Sequence, residues 1–343
     1  MSRNGWLAAG ALAGWAAVRL LGDRERYSFT GKTVLVTGGS RGLGLVLARH
    51  LAAEGARVAI CGRDPEALER ARSALEAIGA EVFALPVDVA DRGAACDLVD
   101  QVAARFGPID VLVNNAGVIE VGPQETMTLA DYEEAMAVNF WGLVYPTLAV
   151  LPSMRARRSG RIVNITSIGG RLGVPHLLPY SASKFAALGF SQGLHAEVRR
   201  HGVVVTSVVP GLMRTGSPRN ATFRGRHRAE YAWFSIADSL PGISIGVEDA
   251  ARRILDGAAR GEAEVRFPLL TRLAVIAASA APNLTASVLG VAGRLLPDPP
   301  PERRGRQPGR ESQSAASPSW LTRLGDDAAR RYNQIAPSEG ASA

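Results

Sequence analysis

From Lys32 to about Pro268 the chain repeats one pattern: a short run of consecutive apolar, largely β-branched residues, then a longer stretch with apolar positions at helical spacing. The apolar runs are Lys32–Thr37, Arg57–Cys61, Glu81–Pro86, Asp110–Asn114, Arg161–Thr166 and Val203–Val208, with Glu264–Phe267 as a seventh. Leu43–Glu54 and Pro65–Ile78 are examples of the helical stretches between them. Strands that are apolar throughout, rather than alternating, are buried on both faces, as in a parallel sheet covered by helices. Right-handed crossovers then wind the sheet in both directions from its centre. The pattern predicts a doubly wound α/β fold over residues 29–268, with ligands bound at the carboxyl ends of the strands.

The flanks read differently. Gly5–Val18 carries no charge and has Trp6 and Trp15 near its ends. As a helix it would reach only about 20 Å, short of the roughly 30 Å hydrocarbon core. Residues 1–28 are therefore expected to form an interfacial or marginal membrane anchor. Arg19, Arg24, Arg26 and Lys32 would hold the folded domain on the cytoplasmic side. Residues 269–296 form an apolar extension. Within it, the uncharged run Leu273–Gly293 is long enough to span a bilayer, but Pro282 and Asn283 interrupt it. A spanning segment and a pair of helices both fit. Beyond Pro297 the chain turns to Pro, Gly, Ser and Arg, so residues 297–343 are expected to be mostly disordered, apart from a short amphipathic helix over Trp320–Tyr332.

Composition adds exclusions. Apolar residues make up 47% and charged residues 21% of 343, the balance of a folded domain. Cys61 and Cys96 form no disulfide framework, as expected of reduced thiols in the cytoplasm, and the five histidines show no paired-ligand spacing, so no metal site is expected. The net charge of +7 arises from arginine clusters outside any nucleic-acid motif, which argues for a solvated or membrane-facing surface and against a nucleic-acid partner.

The first apolar run leads directly into Gly38-Gly39-Ser40-Arg41-Gly42-Leu43-Gly44, and a helix pattern follows at once. Glycines there let the backbone bend and approach a pyrophosphate, and the helix offers free N–H groups and a positive dipole end. The cofactor-binding candidates in this turn are Gly38, Ser40, Arg41, Gly42, Leu43 and Gly44. The second strand ends Ala59-Ile60-Cys61-Gly62-Arg63, with no carboxylate at the expected ribose position. Asp64 reads as a helix N-cap before Pro65. Arg41 and Arg63 could grip a 2′-phosphate, so NADP(H) is expected over NAD.

Tyr180-Ser181-Ala182-Ser183-Lys184 puts Tyr180 and Lys184 on one helix face. The ammonium is expected to lower the phenol's pKa. Ser167, at the end of the fifth strand, can stabilise developing alkoxide charge. Asn139 sits within a helix, where asparagine is unfavourable unless it serves a purpose.

The T-G-x-x-x-G-x-G turn, the Asn115-Ala116-Gly117 motif after the fourth strand, and the series Asn139, Ser167, Tyr180, Lys184 together resemble the short-chain dehydrogenase/reductase family from about Lys32 to Pro268. The resemblance implies a single Rossmann-type catalytic domain and hydride transfer between nicotinamide and a carbonyl or alcohol carbon, with Tyr180 as general acid or base. It further implies that Asp88 and Val89 bind adenine, that Asn139 holds a water serving Lys184, and that Lys184 also holds the nicotinamide ribose. Pro210, Gly211 and Thr215 would bind the carboxamide. A homodimer or homotetramer built on the helices carrying Asn139 and Tyr180 is implied as well.

Between Leu212 and Gly246 lies a long segment without strand pattern, read as a lid. Phe223, Tyr231, Trp233, Phe234, Ile236 and Leu240 supply apolar surface, and Arg219, Arg224, Arg226 and Arg228 supply positive charge. Ile168, Leu172, Val174, Leu177 and Leu178 are placed on the opposite wall. A lipophilic carbonyl or alcohol, with or without an acidic tail, is the expected small-molecule substrate. A polyol or sugar dehydrogenase and a non-catalytic NADP sensor or scaffold are the alternatives.

Overall fold

The sheet forms where the apolar runs predict it, because each run has two faces to bury. In the computed structural model, which describes residues 26–301 and 305–335, β1 (Thr33–Thr37) is buried at every position. It continues into α1 (Gly42–Ala53), β2 (Arg57–Gly62), α2 (Pro65–Glu76), β3 (Val82–Pro86), α3 (Arg92–Phe106) and β4 (Val111–Asn114). After the short β5 (Glu120–Val121), α4 (Leu129–Met136) passes through a π-helical turn, Ala137–Trp141, into α5 (Gly142–Ala156). Then come β6 (Gly160–Ile165), α6 (Leu178–Val198), β7 (Val203–Pro210), β8 (Leu212–Arg214) and β9 (Thr222–Phe223). Helix α7 (His227–Ser239), β10 (Ser244–Gly246), α8 (Val247–Arg260) and β11 (Glu264–Phe267) complete the domain.

The seven-stranded parallel sheet has the order β11-β7-β6-β4-β1-β2-β3. From β1 the chain winds outward to β3, then returns to β4 on the other side. The carboxyl ends of β1 and β4 diverge at that point and open a crevice. Two apolar clusters cover the faces. Val34, Val36 and Ile60 pack with α1 and α8 on one side, while Leu35, Ala59 and Leu112 pack with α3 and α5 on the other. This is the doubly wound fold expected.

One buried polar chain crosses the sheet. Asn114 Nδ2 donates to Thr147 Oγ1 and to Asn164 Oδ1, both at 2.8 Å, and Asn164 Nδ2 donates to Ser191 Oγ at 3.0 Å. Ser207 Oγ donates to the same Ser191 hydroxyl at 2.7 Å. It ties β4, β6 and β7 to α5 and α6, satisfying groups that would be costly to bury alone.

The uncharged run is two helices, α9 (Leu269–Ala280) and α10 (Pro282–Gly293), broken at Pro282. Leu269, Leu273, Ile276, Leu284, Val288 and Val291 are all exposed. Among the described residues one helix, Leu129–Ala156, is long and apolar enough to cross a membrane, and more than half of its apolar window is buried in the domain. The expected N-terminal anchor over residues 1–28 falls almost entirely outside the described residues.

Although the described residues 297–301 form no helix or strand, the expectation of a mostly disordered tail over 297–343 needs correction for residues 305–335. There β12 (Gln307–Pro308) pairs antiparallel with β9, and α11 (Arg323–Arg331) packs against α7. Composition misled because this segment orders through small and polar contacts rather than apolar mass. Ser312, Ser317, Thr322 and Ala329 are buried, and Thr322 Oγ1 bonds Asp326 Oδ2 at 2.7 Å. The short amphipathic helix expected within Trp320–Tyr332 is α11.

Two glycine substitutions test this packing with opposite signs. A Cβ on Gly44 would fall against the Gly38 carbonyl oxygen and 2.5 Å from Asn115 Nδ2, whereas one on Gly189 in α6 meets nothing within 4 Å. Gly44→Ala should lower the urea midpoint, with a loss of about 2–3 kcal/mol from overpacking. Gly189→Ala should raise it by about 0.5–1 kcal/mol through helix propensity.

Candidate active site

The crevice between β1 and β4 is held open by side chains from both strands. Asn115 Nδ2 donates to the carbonyls of Thr37 and Gly38 at 3.1 and 3.0 Å, and Thr37 Oγ1 accepts from the Asn115 and Ala116 N–H groups at 3.0 and 3.2 Å. The Gly39 N–H donates to Cys61 O at 3.1 Å, binding the turn to β2. The resulting cleft, about 270 Å³, is bordered by Gly38, Ser40, Arg41, Gly42, Leu43 and Arg63 at one end. Asp88, Val89, Asn115, Ala116, Gly117 and Thr215 border it further along, and Tyr180 and Lys184 close it. Gly44 does not border it and serves instead the close approach of helix to strand. Asp64 caps α2 as expected, accepting from Ala67 N at 3.1 Å with Pro65 at the first helical position.

A second cavity of about 290 Å³ adjoins the first. Ile119, Tyr180, Met213, Thr215 and Ser217 border both. Ser167, Pro210 and Gly211 belong to the second cavity, with Ile168, Val174, Leu177, Trp233 and Phe234 as apolar walls. Leu172 and Leu178 do not reach it, and Leu178 is exposed. Phe223 and Tyr231 are buried in the lid's own cluster, where their rings pack edge to face at 5.4 Å. None of Arg219, Arg224, Arg226 and Arg228 borders the cavity. Arg224 instead bonds buried Asp131, Nη2 to Oδ1 at 2.9 Å. Sequence reasoning missed Ile243, Leu270, Thr271 and the 3%-exposed Asp238, which also line this wall. The Asp238 acid is pushed up to about 8, chiefly by burial. The one available signal was its place one helical turn after Phe234.

Ser167 caps the 3₁₀ turn Ile168–Gly170, its hydroxyl accepting from Gly169 N at 3.0 Å, and it also hydrogen-bonds Tyr180. One turn along α6, Lys184 Nζ donates to Ile165 O at 3.0 Å and lies 5.7 Å from the Tyr180 ring centre. Asn139 occupies the π-helical turn. Its Oδ1 accepts from Val118 N at 2.9 Å, and its Nδ2 donates to Val118 O at 3.0 Å and to Ser183 Oγ at 2.9 Å. The space beside the Gly117 Cα is bounded by both Asn139 Oδ1 and Lys184 Nζ. Of these four residues Tyr180 borders both cavities, Lys184 the first and Ser167 the second, while Asn139 lies behind Gly117 and borders neither.

The electrostatics depart from expectation at one point. The Tyr180 phenol is held above its ordinary value, not below it, because burial outweighs the Ser167 hydrogen bond, and Glu120 adds to the rise. Burial also lowers Lys184 to about 8. Desolvation is the largest influence on both groups.

The tail completes the cleft. Tyr332 O accepts the Gly42 N–H at 2.8 Å, and Gln334 borders the cleft. One of the helix N–H groups expected to face phosphate therefore belongs to the C-terminal segment.

The Lys184 shift carries a stability consequence. Its folded value, about 8, lies below the unfolded 10.5, so the unfolded chain binds the proton more tightly. The charged lysine thus destabilises the fold below pH 8, and stability returns as pH rises from about 8 to 10.5. Lys184→Met should raise the melting temperature at pH 7, by a free energy on the order of 3 kcal/mol, with the difference shrinking toward pH 10; an unchanged or lower value at pH 7 would contradict the assigned burial cost.

Residues 32–223 match the family described as short chain dehydrogenase. The chain is 38% identical over 244 residues to a putative oxidoreductase, SadH, of Mycobacterium tuberculosis, covering 69% of this chain and 86% of the relative. It is 36% identical over 268 residues to a putative ketoacyl reductase of Streptomyces coelicolor, covering 77% and 97%. A gluconate 5-dehydrogenase of Gluconobacter oxydans is 38% identical over 191 residues, covering 56% and 75%. Among solved structures, a variant of the actinorhodin polyketide ketoreductase with NADPH superposes with a TM-score of 0.61 at 33% identity, covering 68% of this chain and 95% of that one. A short-chain dehydrogenase from Burkholderia phymatum in complex with NAD shares the fold, with a TM-score of 0.69 at 24% identity, covering 75% and 96%. With its glycine turn on β1, its parallel sheet and its Ser-Tyr-Lys corner, the chain belongs to the short-chain dehydrogenase/reductase family of oxidoreductases.

Proposed function

We propose that this protein is an NADP(H)-dependent oxidoreductase that interconverts a carbonyl and an alcohol on a lipophilic small molecule, with Tyr180 as general acid and base. The observation that carries the reading is the position of Tyr180, which borders both the dinucleotide cleft and the apolar cavity. A proton can be exchanged there at the boundary where a hydride must cross.

The cleft fits a dinucleotide phosphate. Burial lowers the Arg41 pKa, opposed by Asp64 and aided by repulsion from Arg63, Arg70 and Arg310. Guanidiniums crowded against their own repulsion favour an anion, and no carboxylate ends β2 to accept ribose hydroxyls. Gly38, Ser40 and Leu43 would hold the pyrophosphate, with Gly42, whose N–H is taken by Tyr332 O, only bordering it, and with Asp88 and Val89 at the adenine. Asn115, Ala116 and Gly117 would lie along the ribose, and Pro210, Gly211 and Thr215 would meet the carboxamide. A bound nicotinamide supplies the hydride donor or acceptor. For reduction, Ser167 and Tyr180 hydrogen-bond the carbonyl oxygen, and Tyr180 gives its proton as charge develops there. Lys184, on the same helix face, orients the nicotinamide ribose and electrostatically favours the phenolate that remains. Asn139 fixes the Val118 backbone beside Lys184.

The apolar walls favour a lipophilic substrate over a polyol, which would leave several hydroxyls unpaired. An acidic substrate tail loses its support because no arginine lines the cavity. On the outer face of α5 and α6, Trp141, Leu148 and Phe185 stand exposed, which favours self-association through these helices.

Purified protein should oxidise NADPH faster than NADH with medium-chain or aromatic ketones, and Tyr180→Phe should lower kcat/KM about 10³-fold. Because burial raises the Tyr180 pKa, the acid form persists through neutral pH, so reduction should hold a plateau and decline only at alkaline pH. Tight NADPH binding without turnover across the panel would instead support a cofactor-sensing protein.

A further inference from the structure

The C-terminal segment reaches the phosphate end of the cleft through side-chain amides, and each amide leads to an arginine. Gln334 Oε1 accepts from Asn220 Nδ2 at 2.6 Å, and Asn220 Oδ1 accepts from Arg41 Nη1 at 2.9 Å. Gln334 Nε2 is anchored on Thr215 O at 3.2 Å. Asn333 Oδ1 accepts from Arg70 Nε at 2.8 Å, while its Nδ2 donates to Ser40 O at 2.7 Å and Ala67 O at 2.9 Å. Asn333 thus clamps the glycine turn to α2 and holds Arg70 with its third bond. The tail does not plug the cleft, because the space from Gly38 to Thr215 stays open with the tail docked.

We propose that Gln334 is a positioning residue for the cofactor's 2′-phosphate, acting on Arg41 through Asn220, while Asn333 acts on the backbone of the glycine turn at Ser40. The inference rests on the NADP reading above. Long arginine side chains lose much rotamer entropy when ordered, so a guanidinium already held in place binds an anion with less further loss. An amide oxygen suits this role because it accepts from the guanidinium without neutralising it, whereas a carboxylate would consume the charge meant for the phosphate. Arg41 is the partner read against the group that distinguishes NADP from NAD, so the Gln334 effect should appear chiefly as selectivity, whereas Asn333, which clamps the glycine turn, should affect both cofactors.

The test is the dissociation constant of NADPH and of NADH, measured by fluorescence titration on the full chain, for wild type, Asn333→Gly and Gln334→Ala. Glycine is chosen because Asn333 has φ +59°. Gln334→Ala should weaken NADPH about tenfold and NADH less than twofold, whereas Asn333→Gly should weaken both, with melting temperatures reported alongside. Equal weakening of both cofactors by Gln334→Ala, or no change in either, would overturn the inference while leaving wild-type NADPH preference intact. A wild type without NADPH preference would overturn the cofactor reading itself, and this inference with it. Should Asn333→Gly fold poorly, Gln334→Ala alone decides.

Discussion

Everything in this molecule hangs on the close approach of backbone to backbone where β1 turns into α1. Gly44 packs so tightly under Gly38 that no side chain fits, and Asn115 bonds the carbonyls of Thr37 and Gly38 from the neighbouring strand end. That junction fixes the direction of the α1 dipole and the width of the crevice between β1 and β4. Arg41 and Arg63 border the same cleft, and the turn and the end of β2 that carry them are bonded through Gly39 and Cys61. The tail's amides in turn have a fixed partner only because Ser40 and Gly42 are held.

The corner formed by Tyr180 and Lys184 shows the cost of burying ionisable groups. Burial raises the Tyr180 phenol and lowers Lys184, pushing both toward their neutral forms. The pair therefore stands as a phenol beside an amine lowered to about 8. A positive charge arriving in the adjoining cleft would favour phenolate, so the state of the pair responds to what occupies the cleft. Expecting Lys184 to lower the phenol's pKa counted one charge and omitted the solvent that both groups had lost.

The sheet was legible because parallel strands are apolar throughout, and each of the seven runs became a strand displaced by at most a few residues at its ends. The glycine turn was legible because its spacing has a mechanical reason, and the Asp64-Pro65 cap because its chemistry is local. Tyr180 and Lys184 share a helix face by spacing alone. What escaped the sequence depends on distant parts meeting. The chain Asn114–Asn164–Ser191–Ser207 reads as four unrelated polar residues until the sheet aligns them. Asp238, Leu270 and Thr271 join the cavity wall only once α7 and α9 are placed. The tail was misjudged for the same reason: serines and prolines suggest disorder unless one knows that β9 offers an edge and Gly216 a small surface against which Ala329 can pack.

The shared wall between the cavities has a consequence for how the two ligands act on each other. Met213, Thr215 and Ser217 border both spaces, and they lie soon after β7, at the start of the lid. Arg214, between them, bonds Ser244 through Nη1 at 2.8 and 2.9 Å, tying this strip to β10 at the end of the lid. The other face of the strip carries the tail, through Gln334 on Thr215 and Ala329 against Gly216. A dinucleotide that settled against Thr215, as proposed, would touch a segment continuous with both the β10 region and the tail, and a substrate would meet the same segment from the second cavity.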